Sequence, residues 1–140
     1  MFMAELVTFP HIEKALVAFL GAQLTARGLP AWVATQIPAA RPVRVVRVSR
    51  IGGTRRNVVL DNPTVLLECW DATESAAYVL ADRCRALVES ACREGTVLTG
   101  GVQVGNYQEF SGPVNFPDPA TNNPRFQITI SITASGVVTP

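Results

Sequence analysis

Histidine is almost missing from this 140-residue chain: His11 is the sole one. A general base at His11 would need an orienting partner close by, and the neighbouring sequence supplies none. It reads as a solvated residue at the start of a helix. Cysteine is scarce as well. Cys69, Cys84 and Cys92 form an odd set without C-x-x-C spacing. Cys69 and Cys84 sit in apolar patterns, as small core residues do in a reducing compartment. Cys84 and Cys92 fall eight residues apart on one predicted helix, about 12 Å by helical rise, too far to share a metal ion. Charged residues make up only 16% of the chain and the net charge is +1, which excludes a global electrostatic grip on nucleic acid. The opening "MFMAELVTFPHIEK" has no basic leader region, and no apolar run approaches 18 residues. Neither a signal peptide nor a membrane span is expected, and the reading is of a soluble protein made in the cytosol.

What is plentiful is apolar surface, 48% of residues. One domain, 1–140, is the expectation at this length, and such a chain folds without a disulfide or a metal. The apolar share is high for a soluble monomer, so a self-associating surface is expected. The charges are segregated. Arg41, Arg44, Arg47, Arg50, Arg55 and Arg56 follow one another with no acid among them. Asp61, Glu68, Asp71, Glu74, Asp82, Glu89 and Glu94 come next. A basic and an acidic strip on one chain suit head-to-tail contacts between copies; scatter on a solvated surface is the alternative.

Periodicity sets out the elements. Ile12, Leu16, Phe19, Leu20 and Leu24 make one apolar stripe, predicting a helix from Pro10 to Arg27 with proline in its first turn. "AWVATQI" is a short strand. "RPVRVVRVSRI" is a second, in which the doublet Val45-Val46 implies a bulge or burial on both faces. In "PTVLLECW", Val65, Leu67 and Cys69 face one way and Leu66, Glu68 and Trp70 the other. The stripe Ala77, Leu80, Ala81, Cys84, Leu87, Val88, Ala91 marks a second helix, with Asp71 and Glu74 at capping-box spacing and Gly95 closing it. "GGVQVGNYQEF" and the strictly alternating "RFQITISITAS" complete the set. The order α-β-β-β-α-β-β predicts an α+β two-layer sandwich: two helices on one face of a mainly antiparallel sheet of about five strands, its other face open. Irregular excursions are expected at 50–63 and at 111–124, the latter with four prolines.

Gly52-Gly53-Thr54-Arg55-Arg56 suggests a phosphate loop only at first sight. A Walker loop needs GxxxxGK[ST] between a strand and a helix, and this stretch has neither lysine nor spacing and leads toward another strand. Arg41, Arg44, Arg47 and Arg50 recur every third residue, whereas a strand repeats every second, so they do not share one face without a bulge. Stacking aromatics are missing from the segment too. With no base, nucleophile or metal set, no enzyme and no cofactor is expected.

Taken in order, "FPHIEKALVAFLGAQL", "RPVRVVRVSRIGG", "LDNPTVLLECWDATESAAYVLADRCRALV" and "FPDPATNNPRFQITISI" resemble the tail terminator proteins of long-tailed bacteriophages. The resemblance spans nearly the whole chain. It implies a small α+β virion protein, without enzymatic activity, that forms a homohexameric ring on the finished tail tube. Such a ring ends polymerisation of the tube protein and presents a surface to the head-tail connector protein, and DNA crosses its lumen transiently and without sequence specificity. The place implied is the neck of the virion, after assembly in the host cytoplasm. Ring closure through unlike patches makes Arg44, Arg47, Arg50, Arg55, Arg56, Asp61, Glu68, Asp82 and Glu89 the candidate interface residues, facing a neighbour, the tube or the lumen. The alternatives are another head-tail joining protein of the neck, or a nucleic-acid-binding module using the Arg44–Arg56 strip.

Overall fold

The stripe on the first helix does what its spacing requires. In a computed structural model describing residues 3–139, α1 (Ile12–Ala26) buries Ile12, Ala15, Leu16, Leu20 and Leu24. Its start differs in detail from expectation. His11 is the N-cap, its Nδ1 accepting the Lys14 backbone N–H at 3.2 Å, so Pro10 lies outside the helix. The second helix, α2 (Glu74–Glu94), buries the whole predicted stripe together with Cys92. Its N-cap is Thr73, which accepts from the Ala76 N–H at 3.1 Å. Asp71 lies too far upstream to cap: its carboxylate takes the Ala72 N–H and pairs with Arg44. At the far end Gly95 adopts φ 62°, the left-handed conformation that a C-terminal glycine supplies.

Among the described residues eight strands accompany the helices. β1 (Leu6–Thr8) and β8 (Val137–Thr139) form a separate two-stranded ribbon. The other six are β2 (Trp32–Ala34), β3 (Val45–Arg55), β4 (Leu60–Trp70), β5 (Val97–Leu98), β6 (Val102–Asn115) and β7 (Arg125–Ser135). They make one curled sheet in the order β2-β3-β4-β7-β6-β5. The α+β class holds, with six strands in place of about five and a curled sheet in place of a flat sandwich layer. β2 runs parallel to β3, and the other pairs are antiparallel.

Register places the core. Val46, Cys69 and Phe126 lie side by side across β3, β4 and β7, and so do Val48, Leu67 and Ile128. This face, with Val65, Ile130 and Ile132, packs under the helices. Each fully buried Leu or Ile there contributes about 1.5–3 kcal/mol. The opposite face is not left to solvent. Val45, Trp70, Glu68 and Arg125 on it are buried, as are Ser131 and Thr133. Val45 and Val46 are thus buried on both faces of one regular strand; the bulge lies between Arg50 and Gly52 instead.

Two predicted loops are largely strand. Residues 50–63 form the outer part of the β3–β4 hairpin, paired as far as Arg55↔Asp61. Asn57 Oδ1 closes the tip by accepting the N–H groups of Val59 and Leu60, each at 2.9 Å. Gly53, at φ +89°, permits the strand crossing: a Cβ there would collide with the Asn62 carbonyl and stand 2.7 Å from the Thr64 nitrogen. Strand β6 likewise runs on to Asn115 through three register shifts, so the irregular excursion shrinks to 116–124.

Candidate interaction surface

Most of the arginine strip is spent inside the chain. Arg44, in the loop ahead of β3, donates through Nε to Asp71 Oδ2 at 2.9 Å and through Nη1 to the Pro30 carbonyl at 3.1 Å. Arg47 stands directly across from Glu68 in the β3–β4 register and donates to its Oε1 at 2.6 Å. Arg50 grips Asp61 with both terminal nitrogens, at 2.6 and 3.0 Å, and also donates to the carbonyls of Gly52 and Gly53. It therefore ties down the bulge next to it. Burial pushes the Asp61 carboxyl up, but the Arg50 hydrogen bonds and charge outweigh that and hold it below its ordinary value.

Beyond the bulge the basic residues turn outward. Arg55 lies over the Phe9 ring at 4.8 Å and reaches the Val7 carbonyl at 3.5 Å. Arg56 is exposed, and its side chain has no hydrogen-bond partner among the described residues. Three apolar residues flank them: Ile51, Val58 and Val59 are all more than half exposed. The nominated acids divide in the same way. Glu68 is 2% exposed and accepts from Arg47, Arg125 and Gln127 of its own chain. Asp82 and Glu89 stand on α2, half open to solvent, paired with Arg85 and Arg93 one turn away. The charge segregation in sequence is thus largely cancelled in space, and among the arginines of the strip only Arg41 and, at the hairpin tip, Arg55 and Arg56 lack an acidic partner among the described residues.

A second group was only half visible in sequence. The alternation in β4 puts Glu68 and Trp70 on one side, but not what covers them. Three guanidiniums surround the Trp70 ring: Arg41 at 5.3 Å, Arg125 at 5.5 Å and Arg47 at 5.8 Å. Trp70 Nε1 donates to Asp118 Oδ2 at 3.1 Å, fastening the 116–124 loop over the sheet. Arg125 holds the same loop through Phe116, by its carbonyl at 2.9 Å and by its ring. The Ala120 N–H is the main reason that the Asp118 carboxyl sits below its ordinary value, with the Trp70 hydrogen bond and the Arg125 charge adding to it.

Reactive groups are poorly placed for chemistry. Cys69 and Cys84 are buried side by side, and hydrogen bonding to Cys84 with burial raises the Cys69 thiol far above its usual range. Burial pushes Cys92 up to about 12. Among the described residues no cluster of His, Cys, Asp and Glu has the arrangement of a metal site. His11 is occupied as a helix cap.

The sheet, however, is unfinished at both sides. β2 covers β3 only from Val45 to Arg47, and β5 covers β6 only at Val102 and Gln103. The curled sheet thus has an extended hairpin and two partly uncovered edges, whose free backbone groups are a template for pairing with another chain. The sequence profile of the family described as phage tail termination protein matches residues 8–138, and the chain belongs to that family. It is a structural protein of the bacteriophage tail, with a part in tail completion. A comparison with curated proteins returns no match.

Proposed function

We propose that the protein closes into a homohexameric ring on the end of the tail tube. The ring stops further addition of tube protein and offers its other side to the head-tail connector protein, at the neck of the virion. The observation that carries this reading is the pair of unlike sheet edges. The strand order sets β3 toward one side of the sheet and β6 toward the other. Beyond Arg47 the outer side of β3 has no strand partner among the described residues, though Glu13 accepts the Arg50 N–H there at 2.7 Å. From Val104 on, β6 has no outer strand partner among them either. Exposed apolar side chains accompany each edge: Ile51, Val58 and Val59 on the hairpin, Phe110 and Val114 on β6. Joining edges of different sequence is a heterologous contact, which forms a ring when the rotation closes. The number six comes from the resemblance to tail terminators.

In this arrangement Arg55 and Arg56 meet a neighbouring subunit, the tube or the lumen, where passing DNA is contacted without sequence readout. Asp82 and Glu89 are the remaining acidic candidates for a neighbour. The role is assembly, with no catalytic step. Two measurements test it. Native mass spectrometry should find a species of about six chains, alone or with tube protein. Tails made without this protein should show tubes of unregulated length by electron microscopy; tubes of normal, regulated length would overturn the reading.

A further inference from the structure

Arg41 is the cation around Trp70 that has no acid. Arg47 and Arg125 share the two oxygens of Glu68, and Arg44 takes Asp71. The Asp118 carboxylate is engaged by Trp70 and Ala120. Four guanidiniums therefore face three carboxylates, leaving one positive charge uncompensated. It falls on Arg41, whose Nη1 is shut off from solvent and has no hydrogen-bond partner among the described residues. A guanidinium nitrogen withdrawn from water and left unpaired is costly, and such groups are normally matched. Arg41 also lines a cavity of about 330 Å³ together with Pro42, Val43, Asp71, Asn123 and Pro124.

We propose that this cavity is a socket for the carboxylate side chain of another protein, a glutamate or aspartate inserted between the 41–43 segment and the end of the 116–124 loop. The charge count selects the ligand. One negative charge neutralises the site, whereas a dianionic phosphate overshoots it. The walls agree, since Pro42, Val43 and Pro124 offer apolar surface for the methylenes of an acidic side chain. With Nη1 closed off, the carboxylate meets Arg41 through its remaining N–H donors, which also have no hydrogen-bond partner among the described residues and match a carboxylate in geometry. The acid comes from another protein because Glu68, Asp71 and Asp118 are already engaged within the chain. The inference does not depend on the ring.

Trp70 reports on the socket directly. With Trp32→Phe, Trp70 is the remaining indole of the chain. Its emission is titrated at constant ionic strength with N-acetyl-glutamate methylamide, N-acetyl-glutamine methylamide and inorganic phosphate. A saturable change with the glutamate probe, at least tenfold weaker for glutamine and for phosphate, is the expected result. Arg41→Gln should abolish the response and Arg41→Lys should retain part of it, with circular dichroism showing both folded. The glutamate-against-glutamine comparison needs no variant at Arg41 and stands if that variant misfolds. No saturable change, equal responses to glutamate and glutamine, phosphate binding ahead of glutamate, or a response surviving in folded Arg41→Gln would each overturn the proposal.

Discussion

Glu68 reads as a surface charge from its place in the acidic strip of the sequence, yet it is one of the most enclosed side chains in the molecule. It balances Arg47 and the nearly buried Arg125 at once. Removing one member of a buried ion pair leaves the others uncompensated, at a cost of about 3–5 kcal/mol. Glu68→Gln should therefore lower the urea midpoint strongly, whereas Glu94→Gln, at an exposed site, should leave it almost unchanged. Asp61 and Asp118 contribute to the acid limit. Both carboxyls are held below the ordinary 3.8 in the folded protein. Their stabilisation is complete above the unfolded value and is lost as pH falls through the folded one, so stability should decline below about pH 4. A series of urea midpoints against pH should show that decline, and Asp61→Asn should make it shallower. A decline equally steep in Asp61→Asn would remove Asp61 from the account.

At the scale of elements, the hairpin carries the clearest local demand. A Cβ added at Gly52 would meet nothing within 4 Å, while one at Gly53 would run into the backbone of Asn62, Pro63 and Thr64 on the facing strand at a left-handed φ. Gly53→Ala should cost about 1–3 kcal/mol through backbone strain alone, with steric overlap added. Gly52→Ala should stay near the wild type in a thermal melt. The two substitutions differ by one residue, so any general effect of alanine cancels. The helices were legible because their stripes are long: eight of the α2 residues are buried. The 50–63 hairpin was not, since Gly-Gly and Asp-Asn-Pro read locally as turn and break. Cross-strand pairing between Arg55 and Asp61 overrides that signal. Pro63 is tolerated inside β4, a position that local preference alone disfavours. β2 was legible as a short strand, but its parallel direction was not, because a three-residue strand has no pattern from which direction can be read.

For the whole molecule, the question is how copies meet. If the hairpin tip and the β6 edge are the two halves of one contact, Arg55→Glu with Arg56→Glu and, separately, Phe110→Glu should each reduce the oligomer measured by native mass spectrometry. The monomer's melting temperature should stay close to the wild type, since these side chains are exposed or at the rim. Mixing one mutant of each kind tests the geometry further. In a heterologous contact the intact tip of one mutant can meet the intact edge of the other, leaving a bad patch at each end of the pair, so mixtures should recover dimers but not closed rings.

The sequence by itself determined the helices, the core face of β7, the α+β class and the likeness to tail terminators, since each rests on patterns repeated over many residues. It also marked Glu68 and Trp70 as sharing a side of β4. Only the tertiary structure decided which charges remain free. Pairing partners such as Arg50 with Asp61, Arg47 with Glu68 and Arg44 with Asp71 are 11, 21 and 27 residues apart. Whether a charge meets its opposite depends on strand register and on which face it occupies, and neither is written in the order of charges along the chain.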